Sequence, residues 1–158
     1  MDGGTAEREV TALVYAYAER IDAGDFAGLA DLFADAELTF EGSHDVHRGA
    51  AEVLALYEAS TRRYPDGTPR TKHVTTNVVV DVDHGGAAAT AAATATARSY
   101  FTVLQAVPGQ LALQPVVAGR YRDRFARGPG GWHFSHRHIC VDLVGDLGHH
   151  LLFHLPPA

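Results

Sequence analysis

The chain has 158 residues, 46% of them hydrophobic and 20% charged, with a formal net charge of -6. That length fits one domain, read here as 1–158 with 145–158 as a C-terminal tail, and the apolar share supports a sizeable core. The negative balance argues against general binding to nucleic acid or to an anionic membrane surface, although ten histidines make the charge sensitive to pH near 6.

A single cysteine, Cys140, excludes an intramolecular disulfide and suits a reducing compartment, so a cytoplasmic location is expected. The start Met1-Asp2-Gly3-Gly4 lacks the basic and apolar regions of a signal peptide. The longest apolar run, Gly86 to Ala97, is mostly Ala and Thr, too short and too polar to span a bilayer. The Ala, Gly and Arg content is of a kind associated with GC-rich bacterial genomes.

Thr5 is the expected N-cap of a first helix, with Glu7 and Glu9 near its positive end. Val10, Leu13, Val14, Tyr17 and Ile21 recur at helical spacing, and Gly24 ends the run. Asp25 caps a short second helix carrying Phe26, Leu29, Leu32 and Phe33. Ala36 to Glu41 alternates as a short strand, and Gly42 to Arg48 reads as a polar loop. A third helix is expected from Gly49 to Tyr64, with Val53, Leu54, Leu56 and Tyr57 among its apolar residues. Pro65-Asp66-Gly67-Thr68-Pro69 is a strong turn.

Beyond the turn the period changes to two. His73 to Val82 is β-branched, and Asp83-His84-Gly85-Gly86 signals a hairpin. Ala87 to Gln105 is rich in alanine, but its alternating threonines and the preceding hairpin favour a strand. Pro108-Gly109 turns the chain into strands at Leu111 to Ala126 and Trp132 to Val144. Helices first and long antiparallel strands second predict an α+β fold with helices on one face of a curved sheet.

Four strings sharpen this order. They are Tyr17-Ala18-Glu19-Arg20-Ile21-Asp22-Ala23-Gly24-Asp25-Phe26 with Leu32-Phe33; Phe40-Glu41-Gly42 leading to Arg48-Gly49; Thr71-Lys72-His73-Val74-Thr75-Thr76-Asn77; and Gly119-Arg120-Tyr121-Arg122-Asp123-Arg124-Phe125 with Gly131-Trp132-His133-Phe134. In order and spacing they resemble the NTF2-like superfamily, most closely its SnoaL-like, scytalone-dehydratase-like branch. The resemblance implies a cone-shaped half-barrel with an apolar pocket between helices and sheet. Its members include dehydratases, a dehydrochlorinase, ketosteroid isomerase, polyketide cyclases and non-catalytic transport or assembly subunits, so the fold alone does not assign a function.

The resemblance also implies site residues. Asp22 and His73 fall where that branch pairs an Asp near the end of the first helix with a His opening the first long strand. His73 would be the general base and Asp22 its orienting partner, without a cofactor or metal. The chemistry agrees: an imidazole is a base suited to neutral pH, and a carboxylate on one ring nitrogen fixes its tautomer. Asp22 sits at a helix C-terminus, where the dipole disfavours an anion by about 0.3–1 kcal/mol. The simpler reading is a turn residue before Gly24.

Tyr17 and Tyr57 are candidate substrate contacts, or plain packing residues of their helices. Arg98 and Tyr100 lie where relatives place a further acid on the second long strand, and the histidine of scytalone dehydratase is missing there. Arg98 could bind an anionic oxygen or simply be solvated. His136 and His138 share one strand face, and alternation leaves open which of His136, Arg137 and His138 meets the pocket. Neither they nor His149, His150 and His154 match a known metal motif. Arg62-Arg63 and Arg120, Arg122 and Arg124 read as solvated or inter-subunit positions. The expected substrate is a small, hydrophobic, cyclic oxygenated molecule, handled by a dehydratase, isomerase or cyclase. A non-catalytic binding or assembly protein is the rival reading. A homo-oligomer, dimer or trimer, packed through the outer face of the sheet is implied by the resemblance, with the tail closing the pocket or extending that interface.

Overall fold

A computed structural model describes residues 3–84 and 93–154. Helix α1 runs from Gly3 to Asp22, so it begins before Thr5, which lies inside its first turn and does not cap it. The helix buries Val10, Val14, Tyr17 and Ile21, the predicted stripe. It ends in a left-handed glycine: Gly24 has φ 73°, and the Asp25 amide reaches back to the Arg20 carbonyl at 2.9 Å. A Cβ at Gly24 would stand 1.9 Å from the Gly67 carbonyl oxygen, so only glycine lets the 65–69 turn pack onto this helix end.

Asp25 caps α2 (Phe26–Asp31), its carboxylate accepting the Gly28 amide at 2.9 Å. Strand β1 (Glu37–Phe40) follows. The expected loop ends in a three-residue strand, β2 (Val46–Arg48), which pairs antiparallel with β1 at the sheet edge. So short an edge strand has no room for an alternating signal. Helix α3 (Gly49–Ser60) stops before Tyr64, because Thr61 turns extended and bridges Leu151 of the tail.

Among the described residues four long strands follow: β3 (Thr71–Asp83), β4 (Thr94–Val107), β5 (Leu111–Gly128) and β6 (Gly131–Val144). The part of the predicted strand at 87–92 lies outside the described residues. The sheet order is β2-β1-β6-β5-β4-β3; β1 runs parallel to β6 and every other pair is antiparallel. The result is the expected α+β half-barrel, curved but not closed. Val10, Leu29, Phe33, Leu38, Val53, Phe125 and Phe134 are fully buried between helices and sheet. Each such side chain contributes about 1.5–3 kcal/mol relative to exposure.

The strand faces decide which candidates can share a site. On β4, Ala95, Ala97, Ser99, Phe101, Val103 and Gln105 turn inward. Arg98 and Tyr100 therefore project from the outer face, Tyr100 with 53% of its surface exposed. On β6 the inward residue is Arg137, and His136 and His138 take the outer face. Among the described residues no helix is long and apolar enough to cross a membrane.

Candidate active site

The last residue of α1 and the first residues of β3 meet at one carboxylate. Asp22 Oδ1 accepts the Thr71 hydroxyl at 2.8 Å and His73 Nδ1 at 2.6 Å, and Oδ2 accepts the His73 amide at 2.8 Å. An ionised carboxylate can only accept, so Nδ1 carries the hydrogen, and in the neutral form of the ring the lone pair is on Nε2. Burial, the largest influence, pushes the Asp22 carboxyl up; the ring, charge and amide of His73 and the Thr71 hydroxyl outweigh it and hold Asp22 below the usual carboxylate range. Three bonded donors also explain why an anion is tolerated at a helix C-terminus.

His73 lines a cavity of about 570 Å³ between helices and sheet. Phe40, Leu56, Phe101, Val103, Val117 and Ile139 give it an apolar wall. Phe101 stacks on Tyr121 at 4.5 Å, over Gly119, where a Cβ would come within 2.8 Å of the Phe101 ring. Tyr17, Tyr57, Tyr121 and His150 add polar groups to the lining, and Glu41, Ser43, Asp45 and His47 come from the β1–β2 connection and β2.

The Tyr17 and Tyr57 hydroxyls share a 2.5 Å hydrogen bond, and Tyr17 packs edge-on against Tyr121 at 5.6 Å. Burial raises the pKa of all three phenols above the ordinary tyrosine value, partly offset by the nearby Arg137. They remain protonated and can donate to an oxygen. Behind them, Arg137 Nε and Nη2 make paired bonds of 2.8 and 2.7 Å to the Asp123 carboxylate, with both side chains fully buried. The guanidinium lies over the Tyr121 ring at 4.0 Å and over Tyr17 at 4.3 Å.

Asp22, His73, Tyr17 and Tyr57 are thus brought together, whereas Arg98, Tyr100, His136 and His138 are not. The expectation that the latter four contact a substrate in this cavity is corrected by the strand pleat, which puts the sheet between them and it. On the outer face Arg124 Nη2 donates to His136 Nδ1 at 3.2 Å, which leaves His136 Nε2–H to donate to Thr39 Oγ1 at 2.9 Å. The Thr39 hydroxyl then donates to His138 Nδ1 at 2.8 Å. Among the described residues no three His, Cys, Asp or Glu side chains are grouped as metal ligands.

Sequence reasoning missed Tyr121, the Asp123–Arg137 pair and His150. The first three carried a signal: Tyr121, Asp123 and Phe125 share one strand phase, and Asp123 faces Arg137 directly in the β5–β6 register. For His150 the sequence offered only a tail that closes the pocket or extends an interface, without regular structure to say which of its residues turns inward. It is 6% exposed and burial, followed by repulsion from His73, lowers its pKa to about 4, against a weaker opposing pull from Asp22.

Between about 6.5 and 4 the unfolded chain takes up a proton at His150 that the folded chain refuses, so stability falls as pH falls through that window, by on the order of 3 kcal/mol. Asp22, whose folded pKa is depressed, adds its own loss only at lower pH, beneath the ordinary carboxylate value of 3.8. Urea unfolding at pH 7.5 and 4.5 should show a smaller acid loss in His150→Leu than in the parent; equal losses would contradict the assignment.

The model of the SnoaL-like domain family matches residues 5–138. No curated protein matches the sequence significantly. Among solved structures, an NTF2-like protein with a cystatin-like fold from Novosphingobium aromaticivorans is 23% identical and superposes with a TM-score of 0.68 over 87% of this chain and 82% of its own. The function-unknown protein Rv3472 of Mycobacterium tuberculosis is 25% identical, with a TM-score of 0.65 over 85% and 70% of the two chains. ActVI-ORFA from Streptomyces coelicolor is 22% identical, with a TM-score of 0.66 over 89% and 98%. With the family match spanning most of the sequence and the fold agreeing, the chain belongs to the SnoaL-like domain family, with the NTF2-like fold.

Proposed function

We propose that the chain is a cofactor-independent lyase or isomerase acting on a small, hydrophobic, cyclic oxygenated molecule. The observation that carries the reading is the 2.6 Å bond from His73 Nδ1 to Asp22, made by a histidine that lines an apolar cavity. His73 Nε2 removes a proton from the carbon next to a carbonyl-like group. Asp22 holds the ring and balances the imidazolium charge as it forms. Of the hydrogen-bonded Tyr17 and Tyr57 hydroxyls, one donates to the other, and the one whose hydrogen stays free donates to the oxygen that gains negative charge, a role suited to phenols kept neutral by burial. The apolar walls exclude water and strengthen those bonds.

The test is proton exchange at carbon. A panel of cyclic ketones and hydroxyketones is incubated with the protein in D2O, and deuterium at the α position and loss of water are read by NMR. Enzyme-dependent exchange or elimination is expected, and Asp22→Asn should slow it by about 10²–10⁴-fold. Tight binding across the panel with no exchange would instead favour a small-molecule-binding protein. A carbon–carbon bond in the product would favour a cyclase using the same base.

A further inference from the structure

His150 lies twelve positions past the last residue of the family match. It nevertheless occupies a defined place in the cavity wall. The tail from Leu147 is tied to the end of α3 by main-chain bonds: the Arg62 amide donates to the His150 carbonyl and the Leu152 amide to the Ser60 carbonyl, both at 2.9 Å. The His149 carbonyl accepts the Tyr64 hydroxyl at 2.6 Å and the buried Gln105 side-chain amide at 2.9 Å. Gln105 also donates to the Pro69 carbonyl at 3.0 Å, which joins the tail to the turn before β3.

Held in this way, the His150 ring stands 6.3 Å from the His73 ring, centroid to centroid, at the same cavity. Its Nδ1 is buried and has no hydrogen-bond partner. A buried N–H without an acceptor is costly, so the proton belongs on the other nitrogen, which leaves Nδ1 as a bare lone pair. The ring is then a neutral imidazole whose one N–H, at Nε2, is its only means of donating to a ligand.

We propose that His150 is a substrate-binding residue whose Nε2–H donates to a carbonyl or hydroxyl oxygen of the molecule in the cavity. This deepens the function proposed above and rests on it only for the word substrate: the ligand class it defines is an apolar ring bearing an oxygen that reaches His150 while a neighbouring carbon faces His73. The tail thereby selects oxygenated rings over plain hydrocarbons.

The experiment compares two nearly isosteric probes, α-tetralone and tetralin, by titration against the parent, His150→Phe and His150→Gln. The parent should bind α-tetralone about tenfold more tightly than tetralin, the size of one net hydrogen bond. His150→Phe should erase that preference by weakening α-tetralone binding and sparing tetralin; His150→Gln, which keeps an N–H, should restore part of it. If His150→Phe does not fold, His150→Gln and the ¹⁵N shift of His150 Nε2 on adding α-tetralone decide, a shift being expected. A preference that survives in His150→Phe, a parent that shows no preference, or no binding of α-tetralone at millimolar concentration overturns the proposal. None of these readings requires turnover. A parent that prefers α-tetralone through His150 but exchanges or dehydrates no member of the ketone panel keeps this assignment and sinks the lyase.

Discussion

His73→Ala is expected to lower turnover by about 10²–10⁴-fold, the usual contribution of a positioned general base, while the chain remains folded. The fold should survive because two of the three donors to the carboxylate stay: Thr71 still donates from its hydroxyl at 2.8 Å, and residue 73 still donates its amide at 2.8 Å. What is lost is the ring, with its 2.6 Å bond and its place at the cavity. Without the imidazole, the Asp22 carboxyl loses its main opposition to burial and should titrate at higher pH. The decisive comparison is turnover against thermal unfolding in one preparation. An alanine variant with parental turnover would remove His73 from the chemistry, whatever its stability.

Separating Asp123 from Arg137 should cost a large share of the fold's stability. Arg137→Met or Asp123→Leu leaves one charge alone in a site with no solvent access, a loss of about 3–5 kcal/mol. Making both changes together should recover most of it, since two apolar side chains need no partner and the rings of Tyr17, Tyr121 and Phe134 already surround the position. Urea unfolding of the two single variants and the double variant gives the result directly. Single variants that each lose less than about 1 kcal/mol would mean that the pair is solvated or rearranges on mutation. Because the guanidinium packs beneath Tyr17 and Tyr121, the same variants should also weaken ligand binding in the cavity.

The order of elements, the stripe on α1 and the Asp22–His73 juxtaposition were legible in the sequence, the last through the resemblance of its two strings. The directions of side chains on the later strands were not. Counting by twos from the inward Phe134 puts His136 and His138 inside, but the register slips between Arg124 and Phe125, so that Phe134 and His136 oppose neighbouring residues of β5. The extra residue, Ser135, reverses the pleat and brings Arg137 inward. A bulge leaves little mark in a sequence whose polar and apolar residues alternate on both sides of it. On β4 the inward residues before Phe101 are Ala95, Ala97 and Ser99, too small to stand out against threonines, so Arg98 and Tyr100 could be assigned to either face. For the tail the sequence left two places open, closing the pocket or extending an interface, because its path is fixed in part by carbonyls and amides meeting distant parts of the chain, and main-chain bonds do not depend on residue type.

That last property separates two jobs that one cavity has to perform. The proton-handling pair sits on α1 and β3, and the tail's hydrogen bonds to the rest of the chain are made through its backbone, so side chains at His150, Leu151 and Phe153 can change without removing those bonds. Evolution, or an engineer, could therefore exchange residues 150–153 as a cassette, retuning which molecules are admitted while the machinery that acts on them stays untouched.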